Sequence, residues 1–202
     1  GSALASDLIA REIELTKKVK PVIASYGNYA ASGGYYISCF SDKIVCNPNC
    51  LTGSIGAFGR MFNISSLLNK KLGITTDKVM TNKNSEMLTF IEDLSPATIV
   101  YMNKSVNSTY QSFISSVARG RNKTVEYIDS IGQGRVWLGT DAIPIGLVDK
   151  LGGLADAIDL AAETAGLSSY EIINYPEKKD AMTFVTDLFK NNSNSTSSAK
   201  MA

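Results

Sequence analysis

Apolar residues recur at three- and four-residue intervals in several stretches of this chain, and each stretch predicts a helix. Leu4, Leu8, Ile9 and Ile13 do so over 1–18, with Asp7, Arg11, Glu12 and Lys17 on the other faces. Leu67, Leu68 and Leu72 predict a helix over 64–72, stopped by Gly73. Ser95 and Pro96 supply an N-cap and a first-turn proline. The stripe behind them, from Ile99 through Met102, Val106, Tyr110, Phe113 and Ile114 to Val117, predicts one long helix over 96–119. At ~1.5 Å per residue it spans roughly 35 Å, enough to cross a domain or reach a neighbour. Shorter helices follow over 124–131 and 154–165, the latter ended by Gly166. Between these periodic segments, short apolar runs predict strands over 21–26, 43–46, 74–80, 134–139, 147–149 and 170–174.

The first two strands flank a segment, 32–41, that reads as a helix through Tyr35, Tyr36 and Ile37. Two strands joined through a helix make a βαβ unit, and βαβ units build largely parallel sheets. The chain is therefore expected to be α/β, with one domain over 1–175. A helix over 176–190, centred on 182–189, and a disordered Asn/Ser-rich tail over 191–202 complete the expected organisation. Polar residues 81–93 predict a mobile loop. No internal repeat is visible.

Composition narrows the function. The chain has 202 residues, 44% hydrophobic, which is enough for one substantial core. Twenty basic and 19 acidic residues leave a net charge of +1 and no long basic run, so neither nucleic acid nor an anionic membrane surface is indicated. No apolar run approaches the ~18 residues of a membrane span. The cysteines Cys39, Cys46 and Cys50 read as small buried residues. There is no histidine. A Ser-His-Asp triad and a His-rich zinc site therefore cannot be built from this chain; a nucleophilic serine here would take a lysine, a carboxylate or a group from another segment or polypeptide as its base, and no metal or cofactor is expected. Trp137 and Tyr35 read as core, Asp141 and Asp149 as cap or turn residues, and Arg119 and Arg121 as the basic end of the long helix.

The stretch that carries chemistry is Val22-Ile-Ala-Ser-Tyr-Gly-Asn-Tyr-Ala-Ala-Ser-Gly-Gly-Tyr-Tyr36. Ser32 sits where a strand turns sharply into a helix. Such a turn can expose a hydroxyl beside backbone N–H groups of a helix start, as a nucleophile with an oxyanion hole requires. From local pattern alone, the same residues read more simply as an N-cap in a glycine turn. The loop Leu51-Thr-Gly-Ser-Ile-Gly56 follows a strand, where ligands sit in open α/β folds, but it lacks the ending of a phosphate loop.

Four stretches together resemble one family: Ala30-Ala-Ser-Gly-Gly-Tyr-Tyr, Leu51-Thr-Gly-Ser-Ile-Gly, Gly132-Gln-Gly-Arg-Val-Trp and Gly146-Leu-Val-Asp-Lys-Leu-Gly-Gly. In order and spacing they are similar to the signal peptide peptidase A (protease IV) family of serine–lysine peptidases. That resemblance implies a crotonase/ClpP-like fold with repeated βαβ units. It makes Ser32 the nucleophile and the N–H of Gly33 one oxyanion donor. Gly1 falls where the family's second donor glycine stands, and the strands that lead into it are missing. Thr52, Gly53 and Ser54 would shape the substrate cleft.

The base is where the sequence departs from the family. Alignment with short members puts Ser85 at the lysine position, with Lys83 beside it as the base candidate of this chain. Long members carry the serine in a C-terminal half and the lysine in an N-terminal half, and residues 81–84 look more like that type. The base is then outside this segment, and the segment alone should be almost inactive. The resemblance further implies hydrophobic peptide substrates such as released signal peptides, the N-terminal half as partner, a homo-oligomer, and attachment to the extracytoplasmic side of a membrane. Two other readings stay open: a degenerate peptide-binding or assembly half, and a crotonase-like acyl-CoA enzyme.

Overall fold

A computed structural model describes residues 1–82, 85 and 89–176. Helix α1 (Ala3–Thr16) starts at Ser2, whose Oγ accepts from the N–H of Ala5 at 3.3 Å. Its inner face is not the expected leucine stripe. Ser6 and Ala10 are buried, whereas Leu4 and Leu8 are 72% and 60% exposed. The cause is the neighbour: a methyl group on Gly33 would stand 2.8 Å from Ser6 Oγ, so only small side chains fit between the two segments.

Strands β1 (Ile23–Tyr26) and β2 (Tyr29–Ala31) are separated by a bend, and helix α2 (Gly33–Ser38) follows directly. Next come β3 (Lys43–Cys46) and β4 (Leu51–Gly53). Beyond a wide helical turn over Leu67–Leu72, the chain forms α3 (Pro96–Arg121), α4 (Val125–Ile131), β5 (Val136–Leu138), α5 (Gly139–Ala142), β6 (Lys150–Leu151) and α6 (Leu154–Thr164). One three-stranded sheet has the order β1-β3-β6, all parallel. The other has the order β2-β4-β5, with β2 and β4 parallel and β5 antiparallel. Helix α2 lies in the connection of both parallel pairs, β1 to β3 and β2 to β4. The expected α/β class with βαβ units is the one observed.

The core gathers Tyr35, Ile44, Ile114, Val117, Ile128 and Leu147, all essentially inaccessible. Tyr35 is core as expected, Trp137 packs against the core, and all three cysteines are free and buried. The stripe of α3 is buried only from Phe113 onward; Ile99 remains 46% exposed. Arg119 and Arg121 do end α3, but their side chains leave it. Arg121 pairs with Asp149 at 2.9 Å and donates to the Gly146 carbonyl, while Arg119 reaches Glu14 and lies over the Phe40 ring. Asp149 also accepts from the N–H of Ile44 at 2.8 Å. It is thus a tie between α3 and the parallel sheet rather than a simple turn residue.

Several expected strands differ. Residues 74–80 form none: Val79 is 99% exposed, and an extended segment without a paired edge or buried face has no reason to be a strand. The strand expected over 147–149 forms instead at Lys150–Leu151, because Leu147 and Val148 are spent on the core. Residues 51–53, read as loop, are β4.

This first compact unit covers Gly1–Leu167. In the second, residues 168–176 contain neither helix nor strand, so the strand expected over 170–174 is absent. The helix expected over 176–190 and the tail over 191–202 lie outside the described residues except for Pro176. Among the described residues no helix is long and apolar enough to cross a membrane.

Candidate active site

Ser32 joins β2 to α2. Its backbone is held at φ 53°, ψ −119°, a region that non-glycine residues rarely occupy. Two hydrogen bonds fix it there. Its N–H donates to the Gly53 carbonyl at 2.9 Å, and its carbonyl accepts from the N–H of Tyr36 at 2.9 Å. Both backbone groups are therefore committed, whereas the hydroxyl makes no capping hydrogen bond. Ser32 does occupy the N-cap position of α2, as the bland expectation has it, but its side chain does no capping.

Gly33 opens α2, so its N–H has no acceptor within the helix. Gly1 lies against it: a methyl on Gly33 would stand 3.8 Å from Gly1 Cα. The chain thus brings Ser32, Gly33 and Gly1 together from segments that are separate in sequence.

Two clefts meet at Ser32. The first, of about 340 Å³, runs along α1 and α2 and is lined by Ser6, Tyr36, Thr109 and Phe113 among others. The second, of about 500 Å³, is lined by Ser54, Tyr110, Gln133 and Gly134. Gly56, Ala57 and Phe58 wall both, and Phe58 is 89% exposed. Among the described residues no Lys, Arg, Asp or Glu side chain lines either cleft.

The three predicted cleft residues separate. Thr52 is fully buried, and its hydroxyl donates to the Ala30 carbonyl at 2.8 Å, so it ties β4 to β2 and does not face the cleft. Gly53 acts through its carbonyl on Ser32; at φ +74° and with Trp137 Cδ1 2.8 Å from where a Cβ would be, it has to be glycine. Ser54 lines the second cleft. Lys83 lies outside the described residues. Lys78, the nearest described lysine in sequence, is ion-paired with Glu92.

The sequence profile of peptidase family S49 matches residues 14–168. The chain belongs to peptidase family S49. Protease 4 of Salmonella typhi is 39% identical over 188 residues, covering 93% of this chain and 30% of that protein. The chloroplastic serine protease SPPA of Arabidopsis thaliana is 38% identical over 189 residues, covering 93% of this chain and 28% of that protein. This S49 member therefore spans less than a third of the length of these relatives. Among solved structures, a ClpP1 mutant from Listeria monocytogenes superposes with a TM-score of 0.47 at 16% identity, covering 78% of this chain and 71% of that one.

Several residues that line the S49 clefts carry little distinguishing signal in the sequence. Tyr110 and Phe113 were visible only as members of a helical stripe. Gln133 and Gly134 stood inside a matched motif without a role. Ser6 and Phe58 carried no sequence signal.

Proposed function

We propose that this chain is the serine-bearing part of a longer S49 endopeptidase that cleaves hydrophobic peptides, released signal peptides among them. One observation carries the reading. An uncommitted hydroxyl, Ser32, is held in an unfavourable backbone conformation where two clefts meet that no charged side chain lines among the described residues. Strain of this kind costs on the order of 1–3 kcal/mol, persists only where the surrounding structure holds it, and clusters at active sites.

The reaction is acyl transfer. A neutral amine removes the Ser32 proton as Oγ attacks the peptide carbonyl. The N–H groups of Gly33 and Gly1 receive the developing oxyanion. The peptide C–N bond then breaks, and the leaving nitrogen takes the proton from the base. Water, deprotonated by the same amine, hydrolyses the acyl-serine. No metal or cofactor takes part. The amine belongs to a lysine outside the described residues, on another half of the same protein. Burial in the joint cleft lowers its pKa from ~10.4 far enough to act. The apolar walls formed by Ala57, Phe58 and Phe113 suit extended apolar peptides. The assembled protein would be a homo-oligomer on the extracytoplasmic side of a membrane. Leu4, Leu8, Ile99 and Val100 are exposed apolar residues available to such contacts.

Among the described residues, the absence of a charged side chain from both clefts also suits a second reading, a peptide-binding half without chemistry. A fluorophosphonate probe applied to the full-length protein decides between them. Labelling at Ser32 that disappears in Ser32→Ala is expected. An unlabelled wild-type protein would leave the binding module.

A further inference from the structure

The second cleft owes its shape to an improbable turn. Gln133 and Gly134 are successive residues at positive φ, 56° and 79°. For Gln133, which has a side chain, this conformation has to be held from outside. Part of the hold comes from nearby backbone: Gly134 N–H donates to the Ile55 carbonyl at 2.8 Å, and Arg135 N–H to the Gly132 carbonyl at 3.1 Å. The amide of Gln133 itself has a different partner. It donates to the phenol oxygen of Tyr110 at 3.2 Å.

That phenol is an oriented acceptor. Its own proton goes to Asp129 Oδ1 at 2.5 Å, which leaves its lone pairs for the Gln133 N–H. A carboxylate partner strengthens both bonds, because charge on the acceptor makes the phenol oxygen more electron-rich. Burial, and then the hydrogen bond to Asp129, push the phenol pKa up, so the proton stays in place. The pair lies on two elements, Tyr110 on α3 and Asp129 on α4, and ties both to the turn that lines the cleft.

The turn matters to Ser32 through contact. A methyl on Gly56 would stand 2.8 Å from Gly134 Cα, so the two backbones touch. Gly56 walls both clefts beside Ser32. Movement of Gln133–Gly134 therefore moves the wall against which a bound peptide lies.

We infer that Tyr110 and Asp129 are a positioning pair that holds the Gln133–Gly134 turn, and with it the peptide-binding face of the second cleft. This rests on the reading of Ser32 given above. The test uses the full-length protein and three variants. In Tyr110→Phe the ring stays and the acceptor is lost. Loss of one neutral hydrogen bond corresponds to roughly three- to tenfold. Amide hydrogen exchange over 132–136 should accelerate by that factor, while exchange over 23–31 does not. The KM for a long apolar peptide should rise by a similar factor, and by more than kcat falls. Asp129→Ala keeps the phenol oxygen but frees its proton, and should accelerate exchange over 132–136 in the same direction by less than Tyr110→Phe. Asp129→Asn retains an acceptor for the phenol and should stay within about twofold of wild type. Unchanged exchange over 132–136 in Tyr110→Phe, or acceleration spread evenly along the chain, would overturn the inference. Failure of the peptidase reading shows separately, as a wild-type protein that fluorophosphonate does not label, and the exchange result still decides the positioning role.

Discussion

Replacing Ser32 by glycine should remove the proposed nucleophile and stabilise the fold. At φ 53°, ψ −119° the side chain of Ser32 works against the backbone, and its hydroxyl makes no capping bond that would offset this. A residue in such a region costs on the order of 1–3 kcal/mol, which glycine releases. Glycine also gives the unfolded chain extra freedom, at about 0.5–1 kcal/mol against the native state. The balance is a gain of about 1 kcal/mol, or roughly 2–4 °C in Tm for a domain of this size. Ser32→Ala is the control, because it removes the same hydroxyl and keeps the Cβ; its Tm should lie within about 1 °C of wild type. Scanning calorimetry of the three proteins measures the difference, and fluorophosphonate labelling, expected in neither variant, reports the hydroxyl. A glycine variant that melts at or below the alanine variant would show that this turn stores no strain. The step from backbone conformation to function would then lose its footing.

Two further outcomes follow from the packing. Asp149 binds Arg121, which is 7% exposed in its side chain, and caps the N–H of Ile44. Asp149→Ala leaves that guanidinium buried without its carboxylate and should cost roughly 3–5 kcal/mol in urea unfolding; a loss below about 1 kcal/mol would refute the tie. Burial pushes the thiols of Cys39 and Cys46 up to about 12 from 9.0. An unfolded chain would release those protons first, so the thiols' contribution to native stability should be level below pH 9.0 and turn unfavourable as the pH rises towards 12. At neutral pH neither thiol should react with iodoacetamide until the chain unfolds; rapid native alkylation would contradict their burial.

Much of this was legible in residue order. The strand–turn–helix around Ser32 is a local matter: small residues and two glycines permit the bend, and Tyr35 and Tyr36 continue it as a helix. Ser95 and Pro96 announce α3 because capping is satisfied within one turn, and the Ser95 hydroxyl does accept from Thr98 at 3.1 Å. The missing histidine means that a His-based triad cannot be built from this chain's own residues. What residue order could not decide was set by partners distant in sequence. The leucines of α1 face outward because the inner side is taken by small residues, Ser6 against Gly33 and the buried Ala10. Residues 51–53 become a strand because β2 and β5 lie on either side of them, and that same pairing turns Thr52 away from the cleft. Ser32 acquires its conformation from the carbonyl of Gly53, and the second cleft acquires its wall from a phenol and a carboxylate on two helices. Local preference is worth tenths of a kcal/mol per residue. Contacts that exist only after folding, such as a buried hydrogen bond or a steric limit at a glycine, are worth more.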